Sequence, residues 1–509
     1  MHALPALDSE LPVFDAELLK RYDRPGPRYT SYPAAPQFTT AFTAADLRAH
    51  AALSNTHPGP HRPLSLYVHV PFCFSPCFYC GCNRLITRDT AQGERYVERL
   101  LAEIALTAPL FAPEREVVQL HLGGGTPNFL AAATLERLIE GLGKAFTLTR
   151  APSRDFSIEL DPRTVPPDYA ATLARLGFNR VSLGVQDFDA EVQRAVNRIQ
   201  STEQTLDLID ACRDSGFRSV NVDLIYGLPR QTPAAFRRTL RMVMSARPDR
   251  LAVYGYAHLP GLFKAQRQID AALLPSAAAR LELLRLAVEE LSAYGYHYIG
   301  MDHFALPDDE LVRAQEAGGL QRNFMGYTTH AGCDLIGLGV SAISHVGESF
   351  SQNFRELKKW QAALEAGRLP VWRGLALSAD DRVRAAVIGQ LMCQGVIDIG
   401  RIEEEYAIEF PAYFGAALTG LQSHVADGLV CIADGRISVT PAGRLLLRSI
   451  AMCFDAYLDT ARTTEAPRRR PERRVAAEVR ARPSRHSAHC RVPENRASGR
   501  GAAWRRCRP

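Results

Sequence analysis

The sequence predicts an α/β fold: an open (βα)6 three-quarter barrel with a parallel sheet, followed by a mainly helical, winged-helix-like C-terminal domain. Three observations predict it. Short apolar, β-branched segments alternate with amphipathic ones up to about residue 260, as parallel strands joined by helical crossovers require. Cysteines and glycines crowd just after two of those segments, at the strand ends where parallel sheets bind ligands. From about Asp380 the pattern changes to short helices and one hairpin signal. The alternation by itself also admits a doubly wound sheet.

Residues 1–60 read as an N-terminal arm, because Pro25, Pro27, Pro33, Pro36, Pro58 and Pro60 interrupt any long element. Within it Gly26-Pro-Arg-Tyr-Thr-Ser-Tyr-Pro33 is extended, since a residue before proline is pushed out of the α region. A catalytic domain follows over 61–375. Its strands are expected at 64–70, 117–122, 156–160, 180–185, 219–225 and 250–256. Helices fall at 94–106, 131–145, 168–176, 202–215 and 233–245. A helix over 276–294 leads to Tyr298-Ile-Gly-Met-Asp-His-Phe304 and a glycine-rich stretch over 317–347. Residues 376–460 form the C-terminal helical domain, with a hairpin over 429–439 turning at Asp434-Gly435. The Arg/Pro-rich stretch 461–509 lacks apolar periodicity and reads as disordered.

The chain has 509 residues and a formal charge of +5. That balance is carried by the end of the chain: residues 468–509 hold fourteen Arg against three Glu, so residues 1–467 are net −6. Nothing in the folded part asks for nucleic acid. No apolar run approaches the roughly 20 residues that span a bilayer, and the N-terminus lacks the basic-then-apolar order of a signal peptide. Eleven cysteines, four of them between 73 and 82, do not resemble a secreted disulfide framework. A cytoplasmic location fits thiolates that must stay reduced.

Cys73, Cys77 and Cys80 follow the first strand in a C-x3-C-x2-C spacing. A [4Fe–4S] cluster ordinarily takes four Cys ligands, so three leave one iron open to a ligand. A zinc knuckle would need a second distant Cys/His pair, and no second C-x2-C occurs. The open iron suits chelation by S-adenosylmethionine, whose reductive cleavage is the cofactor's chemistry and whose placement is the protein's. Cys82 reads as close to the site without being a ligand. Phe78 and Tyr79 either shield the cluster and adenine or pack the loop. Gly123, Gly124 and Gly125, directly after the second strand, let the backbone approach a polar ligand group closely; a structural turn is the other reading. Glu159, Gln186, Arg198 and Asp223 fall at strand ends or in the turns that follow, where side chains face a pocket, with surface capping as the plain alternative.

These residues resemble the radical S-adenosylmethionine superfamily, and within it the oxygen-independent coproporphyrinogen III oxidase (dehydrogenase) family. The resemblance runs over about residues 20–460. It rests on Gly26–Pro33, Tyr67-Val-His-Val-Pro-Phe-Cys73, Cys80-Gly-Cys-Asn83, Gly123-Gly-Gly-Thr-Pro127, Ser157-Ile-Glu-Leu-Asp-Pro-Arg163 and Gly184-Val-Gln-Asp187. Asn221-Val-Asp-Leu-Ile-Tyr-Gly-Leu-Pro229, Tyr256-Ala-His-Leu-Pro260, Gly300-Met-Asp-His-Phe304, Asn323-Phe-Met-Gly-Tyr-Thr-Thr329 and Gly339-Val-Ser-Ala-Ile-Ser344 continue it.

The resemblance implies one [4Fe–4S] cluster on Cys73, Cys77 and Cys80, and two S-adenosylmethionines. The first would meet Tyr67, Gly124, Glu159 and Ile343. The second would meet Tyr79, Gly125, Thr126, Gln186, Arg198, Asp223 and Ala257, with Arg198 and Asp223 as a charged pair for its amino-acid end. It also implies a monomer that oxidatively decarboxylates two propionates of coproporphyrinogen III to vinyl groups, giving protoporphyrinogen IX. That reaction needs a low-potential electron donor and a final electron acceptor. A haem chaperone of the same fold is the alternative, against which stand Cys82 and the arm residues Arg28-Tyr-Thr-Ser-Tyr32. The chain departs from the family after Arg448-Ser-Ile-Ala-Met-Cys-Phe-Asp-Ala-Tyr457. Its last stretch has the composition of a shifted reading frame in a GC-rich gene; a basic interaction tail is the competing reading.

Overall fold

The computed structural model describes residues 11–22, 24–56, 62–166 and 168–458. The expected disorder over 461–509 lies outside the described residues. Seven parallel strands form the centre: β1 (Leu64–Val70), β2 (Glu116–Gly124), β3 (Asp155–Leu160), β4 (Arg180–Gln186), β5 (Ser219–Tyr226), β6 (Arg250–Gly255) and β7 (Asp334–Leu338). They lie side by side as β7-β1-β2-β3-β4-β5-β6. The six predicted units are all present. The seventh strand was read as part of a glycine-rich stretch: Asp334-Leu-Ile-Gly-Leu338 is buried throughout, so it shows no alternation.

Antiparallel strands extend both flanks. β8 (Ile343–Val346), β9 (Ser349–Asn353) and β10 (Val371–Ala376) continue beyond β7, and His303–Ala305 then His297–Gly300 continue beyond β6. Among the described residues the two ends do not pair, so the sheet is an open barrel.

Helices α1 (Ala91–Thr107), α2 (Ala132–Ala145), α3 (Tyr169–Arg175), α4 (Thr202–Asp214), α5 (Pro233–Ser245) and α6 (Ala277–Ala293) follow the first six strands in turn. Ser201, Thr232 and Ser276 cap α4, α5 and α6 by accepting from backbone N–H groups in the first turn. The helices bury their apolar stripes against alternate strand residues. Leu64, Leu66, Val68 and Val70 of β1 pack in one core with Leu135, Leu138 and Leu142 of α2.

The remaining strand positions face inward and are polar, as a period of two demands. At the floor of the barrel they bond to one another. Ser65 donates to Gln119 (2.8 Å), and Gln119 donates to Asp155 and Thr328 (both 3.1 Å). Arg180 joins Asp155 (3.3 Å) to Glu310.

The C-terminal helix Ala379–Gln394 begins in a Ser378/Asp381 capping box and ends on Gly395 at φ 67°. The expected hairpin pairs Val430–Ala433 with Arg436–Val439. Asp434 and Gly435, at φ 51° and 70°, give the turn two left-handed residues. A third strand, Val396–Asp398, joins on the other side; three residues directly behind a helix cap are too few to show a period.

Leu19, Tyr22, Tyr29 and Tyr32 of the N-terminal segment pack into the core of this helical region, with Phe410, Phe414 and Phe454. Tyr29 donates to Asp455 (2.9 Å), and the Ala456 N–H to the Tyr32 hydroxyl (3.1 Å). Among the described residues no helix is long and apolar enough to cross a membrane.

Candidate functional site

The chain leaves β1 through Pro71 into Phe72–Cys73, which pairs with Leu85–Ile86 and closes the cysteine loop. Other elements pin this loop. The Phe78 N–H donates to Val196 O (2.9 Å), Asn197 to Pro76 O (2.7 Å), and Arg84 to the carbonyls of Cys77 and Cys80 (both 3.1 Å). Cys73, Cys77, Cys80 and Cys82 are free thiols.

Each of the first three sulfurs receives a donor. Thr126 donates to Cys73 (3.3 Å), Arg198 and Arg163 to Cys77 (3.5 and 3.6 Å), and the Cys82 N–H to Cys80 (3.4 Å). Burial pushes the Cys73 thiol up to about 11. The Cys82 side chain, bonded to Cys80, pulls the Cys80 thiol down against burial, helped by the Arg84 charge.

Among the described residues no three His, Cys, Asp or Glu converge on a single ion. An all-thiol set with hydrogen-bond donors at its sulfurs fits an iron–sulfur cluster, whose potential such bonds tune. Gly125 closes the cradle: a Cβ there would lie 2.8 Å from Phe72 O.

Inside the barrel, Tyr67, Gly124 and Glu159 meet through two histidines that the sequence reading passed over. The Asn83 carbonyl can only accept, so His69 donates to it from Nε2 (2.9 Å) and accepts a hydrogen bond from the Tyr67 hydroxyl at Nδ1 (3.0 Å). His121 lies 2.6 Å from Ser157 Oγ through Nδ1 and 3.1 Å from Glu159 through Nε2. The Gly124 N–H donates to the other Glu159 oxygen (3.1 Å). Burial pushes the Glu159 carboxyl up, but His121 and Gly124 outweigh it and hold the group below its ordinary value.

The glycines are here because their neighbours take the space. A Cβ on Gly123 would stand 2.7 Å from Glu159, and one on Gly124, at φ 113°, 2.6 Å from His69. The Gly124 and Gly125 amides are therefore spent on Glu159 and Val70 O, not left for a ligand.

Arg198 and Asp223 do not form the expected pair. Arg198 grips Asp161 (3.2 Å) and the Gly184 carbonyl (2.5 Å), while Asp223 accepts from Ser182 (2.9 Å) and Asn221 (3.0 Å). Asp161 lies two residues past Glu159, so the same side of β3 reaches Arg198 first. Burial, with the Glu159 charge, lifts Asp223 to about 6.

Gln186 ends β4 at φ 69°, and a Cβ on Gly184 would touch both it and Arg198 at 3.0 Å. Gln266 ties Tyr79 to Ala257 by donating to both carbonyls (2.9 and 3.1 Å). Ile343 lies across Gly337 from Tyr67, at the start of β8. His69, His121, Ser157, Asp161 and Arg163 were missed; for the first three the signal was polar alternation inside strands otherwise read as apolar, while Asp161 and Arg163 lie in the turn just after β3.

Residues 67–243 match the Radical SAM superfamily, and residues 377–446 match the HemN C-terminal domain. The chain is 50% identical over 445 residues to the oxygen-independent coproporphyrinogen III oxidase of Pseudomonas aeruginosa, covering 87% of this chain and 96% of that one. It is 47% identical over 445 residues to the Escherichia coli protein of the same name, with the same coverages. The solved structure of E. coli coproporphyrinogen III oxidase (HemN), described as a radical SAM enzyme, superposes with a TM-score of 0.83 at 46% identity. It covers 88% of this chain and 100% of that one.

Proposed function

The chain belongs to the oxygen-independent coproporphyrinogen III oxidase family of the radical SAM superfamily, and on that premise we propose that it converts two propionates of coproporphyrinogen III to vinyl groups. The family implies a [4Fe–4S] cluster and S-adenosylmethionine. When bound, they supply a 5′-deoxyadenosyl radical that takes a hydrogen atom from the propionate β-carbon; carbon dioxide and one electron then leave, the electron going to an acceptor.

The protein's own part is to hold and orient. Cys73, Cys77 and Cys80 hold the cluster, with Thr126, Arg163 and Arg198 donating to its thiolates. Tyr67, Gly124, Glu159 and Ile343 surround one S-adenosylmethionine, Glu159 accepting from a ribose hydroxyl or the ammonium. Tyr79, Gly125, Thr126, Gln186, Arg198, Asp223 and Ala257 surround a second, where Asp223 accepts from the ammonium. Arg198, already paired with Asp161, fixes the loop through Cys77. A cytoplasmic monomer served by a low-potential donor and a separate electron acceptor completes the reading.

The observation that carries it is the gathering of three free thiols, each with a donor on its sulfur, at the mouth of this barrel. Anaerobically reconstituted protein given coproporphyrinogen III, S-adenosylmethionine, reductant and acceptor is expected to release protoporphyrinogen IX and carbon dioxide. Stoichiometric haem binding with transfer to an apo-acceptor, and no decarboxylation, would make it a haem carrier instead.

A further inference from the structure

At the far side of the sheet from β1, Tyr254 of β6, His303 and Arg322 come together with Arg28 of the N-terminal arm. Arg28 pairs with Asp302 and lies 5.6 Å over the Tyr254 ring. Tyr254 lies two residues along β6 from Ala252, the register partner of Asp223, so it faces the same interior as the predicted site, and the charges of Asp223, Glu159, Arg28 and Arg322 all act on it.

Arg322 lies 4.6 Å over the Tyr327 ring, and Tyr327 is itself fixed by donating to Met392 O (2.9 Å). Yet Nε and Nη1 of Arg322 are buried and have no hydrogen-bond partner among the described residues. The Nδ1 of His303 is buried without a partner too, with its ring edge-on to Tyr254 (6.0 Å) and Tyr327 (5.3 Å). Burial, with Arg322, Arg28 and Arg250 nearby, keeps His303 neutral. Arg448 adds a further positive charge that Arg28 feels.

Buried donors left unmade carry their full desolvation cost, and charged groups in a cleft with that cost are candidates for ligand contact. The charge balance decides the ligand. Asp302 is engaged by Arg28, and the other carboxylates are bonded elsewhere, Asp223 to Ser182 and Asn221 and Glu159 to His121 and Gly124. The cluster is therefore short of free negative charge, and a guanidinium with open N–H groups is suited to a carboxylate.

We propose that Arg322, flanked by Arg28 and His303, binds a propionate carboxylate of the tetrapyrrole and so anchors it inside the barrel. This rests on the substrate reading given above. A macrocycle with four such carboxylates keeps one anchored here while another is presented for reaction.

The test compares Arg322→Gln and Arg322→Met with the full-length parent, all cluster-loaded. It measures affinity for coproporphyrin III and for its tetramethyl ester by fluorescence. Both variants are expected to lose about ten- to a hundredfold in affinity for the free acid and nothing for the ester. Arg322→Met, which removes an unpaired buried charge but keeps a stem over Tyr327, is expected to leave the ligand-free Tm unchanged or higher.

Acid affinity equal to the parent's, or acid and ester affinities falling together with Tm, would overturn the assignment. An active parent with unaffected variants overturns this inference alone. A parent that neither binds coproporphyrin nor forms vinyl product overturns the substrate reading and this inference with it.

Discussion

The floor of the barrel and the upper interior with its cysteine loop settle their polar groups in opposite ways. At the floor Ser65, Gln119, Asp155 and Thr328 bond to one another and Arg180 is ion-paired with Asp155 and Glu310, leaving only its Nε without a hydrogen bond in that group. At the mouth three thiols are free, and further along the interior Asp223 is held at about 6 while Arg322 and His303 keep donor or acceptor atoms unpaired. Local groups that stay unsatisfied inside an otherwise consistent fold mark where binding capacity is stored. The floor is structure; the mouth is capacity held for ligands.

The largest effect expected at the mouth is from Cys77→Ser. It removes one of three cluster thiolates and the acceptor of Arg198 and Arg163, so the visible cluster absorption and all vinyl product should disappear. Cys82→Ser should keep the absorption and slow turnover, because Cys82 reaches Cys80 and not the cluster in this reading; loss of the cluster would move Cys82 into the ligand set.

Next is Glu159→Gln, which leaves the hydrogen bonds from Gly124 and His121 largely possible but removes the charge. S-adenosylmethionine affinity, read by equilibrium dialysis, should fall by about tenfold or more, with the cluster absorption intact.

Asp223 supplies the pH dependence. Its folded value is raised from 3.8 to about 6 by burial and the Glu159 charge. Ionisation therefore costs the empty site stability: the contribution is fully present below the ordinary value and is lost as pH rises past about 6. An ammonium needs the ionised form, so S-adenosylmethionine affinity should be full above that pH and weaken below it. Asp223→Asn should flatten that limb and stabilise the ligand-free protein at neutral pH. A binding profile through pH 6 that is the same in both proteins would remove Asp223 from the site.

The smallest effect on function should come from the floor. Gln119→Leu breaks bonds to Ser65, Asp155 and Thr328 at once and should cost about 1–3 kcal/mol of stability while leaving S-adenosylmethionine affinity unchanged. A loss of affinity without a loss of stability would erase the distinction between the two ends.

Much of this was legible in the sequence, for reasons that show where legibility stops. The six βα units, the cysteine loop and the Asp434-Gly435 turn are written in contiguous residues, where periodicity and spacing suffice. β7 was hidden because a strand buried on both faces next to glycines has no period. The His121–Ser157–Glu159 chain was hidden because its members come from two strands and meet only through register, His121 opposite Ser157. The same limit set Arg198 with Asp223: sequence placed them at a strand end or in a following turn, but only the fold brings Asp161 to Arg198. Arg322 gave no sign at all, since an unpaired buried nitrogen is a property of its surroundings.

The most direct test of the central claim is isotopic. Coproporphyrinogen III deuterated at the propionate β-carbons is incubated anaerobically with the reconstituted protein, reductant, acceptor and S-adenosylmethionine, and the 5′-deoxyadenosine is analysed by mass spectrometry. The account predicts deuterium in the 5′-deoxyadenosine together with vinyl product and carbon dioxide. Unlabelled 5′-deoxyadenosine with no vinyl product, from protein carrying its cluster, would contradict it.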